Sequence, residues 1–213
     1  MKSAHWIAVA CLASGRLWAQ QEEKPFRSDF AVMALGEFTT GTSGQGDYSG
    51  PLHDFYSDHA FGLMASYRYH FNSHHGIEVD YSHAQFIQQY GLAGAGIGAG
   101  VVTHLHEATA SYVFQYPYKR LTPYLSTGGG VALFHPTSSS TPLGPELSAL
   151  PTVQVRPAFV YSGGVDLRIT RHFSFRAAYR GLICSAPDFD VDNFRMFEVT
   201  HIAEPAAGFS YRW

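Results

Sequence analysis

Along residues 60–71 (AFGLMASYRYHF) the chain alternates. Phe61, Leu63, Ala65, Tyr67, Tyr69 and Phe71 occupy the odd positions, and Ala60, Gly62, Met64, Ser66, Arg68 and His70 the even ones. A period of two places each set on its own face of a β-strand. The same division recurs in residues 76–84, 107–116, 159–170, 173–181 and the closing stretch 203–213. In each, an aromatic and aliphatic face opposes a small and polar one. Residues 28–39 carry Phe30, Val32, Ala34, Gly36 and Phe38 on one face. Residues 122–134 (TPYLSTGGGVALF) form a glycine-weakened strand whose facing the pattern leaves open. Eight strands are therefore expected.

The charges decide which face points where. Over the six segments with clear alternation, the apolar face carries none. The polar face carries Glu78, Asp80, Glu107, Asp166 and Glu204 together with Arg68, Arg168, Arg176, Arg180 and Arg212. A soluble sandwich turns its apolar faces inward and its charged faces to water. Here the polar face holds no Lys and its charges balance, as suits an enclosed space where each charge needs a partner. The apolar face then looks into lipid. An open sheet in lipid would leave its edge N–H and C=O groups unpaired, so the eight strands must close. The expected fold is all-β: a closed, eight-stranded, antiparallel, up-and-down transmembrane β-barrel. An interior of that size is filled by side chains, so the ten charged residues are expected to form a charge network in the lumen.

The connections support this reading. Residues 72–75 (NSHH), 117–120 (PYKR) and 170–172 (TRH) are short, whereas 40–58, 86–100, 136–153 and 183–195 are long and rich in turn formers. Short turns at one end and long loops at the other are the pattern of outer-membrane barrels, with the short turns in the periplasm. Tyr69, Phe71, Phe114, Tyr116, Phe173, Phe175, Tyr211 and Trp213 gather at the short-turn ends, where an interfacial girdle belongs.

Composition adds limits. Charged residues make up 15% of the chain, below the roughly 25% of ordinary domains, and Gly (21), Phe (16) and Tyr (13) are abundant. The net charge of −3 gives no basic patch and argues against a nucleic-acid partner. At the N-terminus, Lys2, an apolar run from Trp6 to Ala13 and the small residue Ala19 read as a secretory signal peptide over 1–19, leaving 20–213 as the barrel domain. Removing Lys2 and Arg16 from the 14 basic residues would leave 12 against 17 acidic, and Cys184 as the one cysteine. A single cysteine makes neither an internal disulfide nor a zinc ligand set.

Three stretches resemble the small outer-membrane β-barrel family, the OmpA/OmpX-like porin superfamily. They are TPYLSTGGGVALF (122–134), SGGVDLRITRHFSFRAAYRG (162–181) and the terminal GFSYRW. The first two are similar to the family's PYxGxGxG strand and its GGVxYR–turn–xxxxxYR hairpin. The resemblance implies a bacterial outer-membrane location and lipid of that membrane as surroundings. It also implies a signal for the barrel assembly machinery in Phe209, Tyr211 and Trp213. With nothing after Trp213, the peptidoglycan-binding domain of larger relatives is expected to be missing. No cofactor is implied.

Other candidate chemistry is weaker. GLAGAGIGAG (91–100) lacks the register and the Lys-Ser/Thr of a phosphate loop and reads as an outer loop. His104 and His106 share a strand face and His74–His75 share a turn, but two imidazoles without a third ligand make no specified metal site. DFDVDN (188–193) lacks the central Gly and closing Glu of an EF-hand. Lipid A deacylases resemble the chain in size, but alternation puts Ser82 and His83 on opposite faces, so no nucleophile and base meet. The expected role is non-enzymatic, in envelope integrity or in contacts made by the long loops. The alternatives are a lipid-modifying enzyme or small-ligand binder of the outer leaflet, and a soluble lipocalin-like barrel with its aromatics turned inward.

Overall fold

The computed structural model describes residues 26–39, 42–45, 52–57, 59–92, 98–140, 152–187 and 199–213. The proposed signal peptide, the DFDVDN stretch and the middle of GLAGAGIGAG lie outside the described residues. The strands are β1 (Ser28–Thr39), β2 (Thr42–Gln45), β3 (Leu52–Ser57), β4 (Ala60–His70), β5 (His75–Leu92), β6 (Gly98–Gln115), β7 (Leu121–Ser140), β8 (Gln154–Arg168), β9 (Phe173–Ser185) and β10 (Val199–Arg212). Among the described residues there is no helix.

Eight of these strands form the wall, in the order β5-β4-β1-β10-β9-β8-β7-β6, and β6 pairs back onto β5. Every pairing is antiparallel, and the sheet closes. Closure supplies each wall strand with a hydrogen-bonding neighbour on both sides, which is what hydrocarbon surroundings require. The seam joins the first and last strands, from Asp29 opposite Arg212 to Thr39 opposite Ile202.

Several strands outrun the expectation. The alternating pattern ended at 84 and resumed at 107, yet β5 and β6 are each 18 residues long. Their ladder continues through Gln85 opposite His104 to Gly91 opposite Gly98. Likewise β7 reaches Ser140 and β9 reaches Ser185. Two-sided contrast disappears from the sequence once neither face needs to be apolar, but backbone pairing needs no contrast. The expected long loop 40–58 contains β2 and β3, a hairpin whose second strand pairs with the upper end of β5, Ser57 opposite Gln88.

The short connections are built from local hydrogen bonds. Asn72 Oδ1 accepts from the backbone N–H of His74 and His75, at 2.8 and 2.9 Å, which is the self-turning habit of asparagine. Thr170 Oγ1 accepts from Phe173 N at 3.0 Å and closes the β8–β9 turn. Lys119, in the β6–β7 turn, takes a left-handed φ of 55°.

The two faces separate as the charge count required. Outward, Phe61 is 86% and Leu125 66% exposed; inward, Arg68 and Arg176 are both 0% exposed. The glycine-rich β7 also resolves: Tyr124 is buried and Leu125 exposed, so even positions face inward. At the short-turn end the outward aromatics touch one another. Phe173 meets Tyr211 edge-on at 5.1 Å, Tyr211 stacks on Trp213 at 6.0 Å, and Tyr67 reaches Trp213 at 6.2 Å. Glycines on the wall make room for rings. A Cβ on Gly181 would lie 2.4 Å from the Tyr161 ring, which crosses this strand to bring its hydroxyl 2.8 Å from His201 Nε2 on β10.

Candidate functional site: two charge layers inside the barrel

Inward-facing side chains of the eight strands meet in two layers. The layer nearer the short turns contains Arg68 of β4, Arg176 of β9 and Arg212 of β10, with Asp29 of β1, Glu78 of β5 and Asp166 of β8. Arg68 Nε donates to Glu78 Oε2 at 2.8 Å, and Nη1 to Asp166 Oδ2 at 3.3 Å. Arg176 Nε donates to Asp166 Oδ1 at 2.7 Å, Nη2 to Asp29 Oδ1 at 2.8 Å and Nη1 to Glu78 Oε2 at 3.2 Å. Arg212 Nη2 reaches Asp166 Oδ2 at 3.1 Å, and His70 Nε2 lies 2.7 Å from Asp29 Oδ2. Three guanidiniums face three carboxylates here. The planar five-donor fork of arginine suits this arrangement, because one residue can hold several carboxylates at once. The Tyr124 ring lies beside both cations, 4.1 Å from Arg68 Cζ and 5.6 Å from Arg176 Cζ.

The second layer lies toward the long loops and centres on Arg180 of β9. Its Nη1 is 2.5 Å from Glu107 Oε2 of β6 and also donates to Glu204 Oε2 of β10. Its Nη2 donates to Thr109 Oγ1 at 3.1 Å. Ser82 Oγ donates to Glu107 Oε2 at 2.8 Å. Glu37 of β1 is buried in the same layer. Asp80, opposite Ser66 in the β4–β5 ladder, is buried within electrostatic reach of both Arg180 and Arg68.

Of the ten charged residues expected inside, eight lie buried in these layers: Arg68, Glu78, Asp80, Glu107, Asp166, Arg176, Arg180 and Glu204. Arg212 joins at the edge of the first layer. Arg168 sits at the mouth, where Nη2 donates to the Lys119 carbonyl at 2.8 Å. Sequence reasoning missed Asp29, Glu37 and Tyr124. The first strand was read for its apolar face alone; the alternate positions, Asp29 and Glu37 among them, carried the signal. Tyr124 was hidden because three successive glycines, Gly128, Gly129 and Gly130, erase the contrast of β7.

A pocket of about 240 Å³ opens at the short-turn mouth, lined by residues that include Phe26, His70, Gln115, Lys119, Arg168 and Arg212. The histidines of β5 and β6 lie on the outward-facing positions of the wall. His83 stacks on His106 with centroids 4.5 Å apart and on His104 at 5.4 Å, and Tyr81 Oη lies 2.8 Å from His106 Nδ1. Ser82 points inward and bonds Glu107, so wall and alternation separate it from His83. Cys184 is free and buried.

No protein-family model and no curated protein matches the sequence. Solved structures do match in fold. The outer membrane protein OprG from Pseudomonas aeruginosa superposes with a TM-score of 0.62 at 13% identity, covering 90% of this chain and 97% of that one. Neisserial surface protein A (NspA) gives 0.54 at 16%, covering 86% and 97%. Ail of Yersinia pestis, solved with the heparin analogue sucrose octasulfate, gives 0.50 at 14%, covering 88% and 99%. The chain is a closed eight-stranded barrel with the fold of small outer-membrane proteins.

Proposed function

We propose that the protein is an integral barrel of the bacterial outer membrane, without enzymatic activity, whose interior is a plug of paired charges. Its role then lies in envelope integrity or in what the long outer loops contact. One observation carries this reading. Among the described residues of the eight wall strands, the outward face holds no Asp, Glu, Lys or Arg, while the inward face holds the two charge layers. A lipid-facing charge near the bilayer midplane costs about 2–4 kcal/mol for Arg or Lys, so such a surface is what a membrane selects. Outer-membrane lipid is the proposed surrounding partner. The barrel assembly machinery is the proposed partner in biogenesis, through Phe209 and Tyr211 on the outward side of β10 and Trp213 just after it. Residues 1–19 are proposed to direct secretion.

Expression with and without the gene product, followed by fractionation, tests the reading. The expected result is recovery from outer-membrane fractions only with detergent, a band that shifts on SDS gels when boiled, and unchanged lipid A by mass spectrometry. Monodisperse protein without detergent would support the soluble alternative. Altered lipid A would support the enzymatic one.

A further inference from the structure

The two charge layers differ in balance. In the lower one, three guanidiniums meet three carboxylates. In the upper one, Glu37, Glu107 and Glu204 share Arg180. Each of the three offers a carboxylate oxygen within 4.8 Å of the other two, and all three residues are buried. Both oxygens of Glu37 are buried without a hydrogen-bond donor, as are Glu107 Oε1 and Glu204 Oε1. Glu37 is only 2% exposed, and one of its two unpartnered oxygens lies in the group. Another inner-face guanidinium, Arg156 of β8, donates to Gln154 Oε1 at 3.2 Å.

The backbone makes this juxtaposition obligatory. Leu35 stands opposite Ala206 and Phe38 opposite Ala203, a single register on both sides of Glu37. That register sets Glu37 beside Glu204, next to Pro205, which has no N–H to give the ladder. Like charges directly opposite each other on one sheet face repel, and a buried carboxylate without a donor is costly. Glu107 comes from β6, across the barrel from the β1–β10 seam.

We propose that Glu37, Glu107 and Glu204 form a site for one divalent cation of the calcium class inside the barrel. Within the cluster, Glu37, Glu107 and Glu204 against Arg180 leave two negative charges, which one such ion neutralises; Asp80 lies within reach of both Arg180 and Arg68. All the donors are oxygens, the ligands of hard cations. Calcium–oxygen distances of about 2.3–2.6 Å put two ligands on opposite sides of the ion about 4.6–5.2 Å apart, whereas magnesium at about 2.0–2.1 Å demands a tighter set. With the three oxygens no more than 4.8 Å apart, all of them lie within the span of one such ion. The ion cross-braces the seam to the opposite wall.

Calorimetric titration of the folded, detergent-solubilised protein with Ca²⁺ after EDTA treatment tests the site. The expected result is one equivalent bound, with a rise in unfolding temperature. Glu37→Gln should keep the heat-shifted band of a folded barrel and bind Ca²⁺ at least about tenfold more weakly, because ligand charge sets affinity in such sites. Asn replacements of Asp188, Asp190 and Asp192 should leave the binding unchanged. Three results overturn the proposal: no binding by the wild type at millimolar Ca²⁺; equal binding by Glu37→Gln; or loss of binding with the loop aspartates. If Glu37→Gln fails to fold, Glu204→Gln serves in its place, with the same expected loss.

Discussion

The Arg68 guanidinium lies 4.1 Å from the centre of the Tyr124 ring, on the far side of the barrel wall from lipid. The ring belongs to β7 and the cation to β4, strands that share no backbone pairing. The contact therefore spans the lumen. With Glu78 and Asp166 on its other side, Arg68 is held by three strands besides its own.

Replacing Arg68 with Ala leaves Glu78 with only the 3.2 Å bond from Arg176 and removes one of the cations serving Asp166. The expected loss is about 3–5 kcal/mol, as for breaking one partner of a buried pair. Arg27→Ala, just before β1 and exposed, should change stability by less than about 0.5 kcal/mol. Urea unfolding of both variants in the same lipid checks the difference, and equal losses would remove the buried-pair explanation.

A methyl group on Gly181 would meet the Tyr161 ring at 2.4 Å. Gly181→Ala should displace that ring, break the bond from Tyr161 Oη to His201 and destabilise the barrel by about 1–3 kcal/mol. The companion change Tyr161→Ala in the same background removes the clash. The double variant should then be less affected than the two single losses added together, which a double-mutant cycle measures.

Trp213→Asp puts a charge beside Tyr211 and Tyr67 at the lower girdle. The expected outcome is secretion without assembly: protein in the periplasm and little in the outer membrane. Immunoblots of the two fractions decide it, and normal outer-membrane levels would make the terminal ring dispensable.

Conduction should be negligible. The layer of Arg68, Arg176 and Tyr124 fills the interior above the short-turn pocket. Purified protein in planar bilayers should give no large, stable single-channel currents; their appearance would contradict a filled lumen.

Much of this was readable beforehand because lipid imposes a strict rule on one face. Phe61, Leu63 and Tyr67 had to alternate with Met64, Ser66 and Arg68, and the structure keeps every one of those positions on its expected side. The rule lapses where both faces meet water or protein. Phe86 through Leu92 therefore fall in the expected loop while continuing the β5 strand. The charge layers were legible as a set of residues but not as partners. Arg176 meets Asp29 only because the seam brings β1 beside β10 and β9 lies next. Such pairings depend on closure and stagger, which no single strand encodes.

The seam itself has a kinetic meaning. Asp29 and Arg212 stand opposite each other at the two extremes of the described chain. Their pairing encloses every other strand, so its loop-closure entropy is the largest in the molecule. Until it forms, β1 and β10 each show lipid an unpaired edge, and the Arg176–Asp29 bond has no acceptor in place. Half-made barrels thus have no resting point in the bilayer, and a finished one must surrender the seam and the charge layers together before any strand can leave. Denaturation and renaturation should consequently follow different curves in lipid, with the folded form persisting well into urea concentrations from which the unfolded chain does not return.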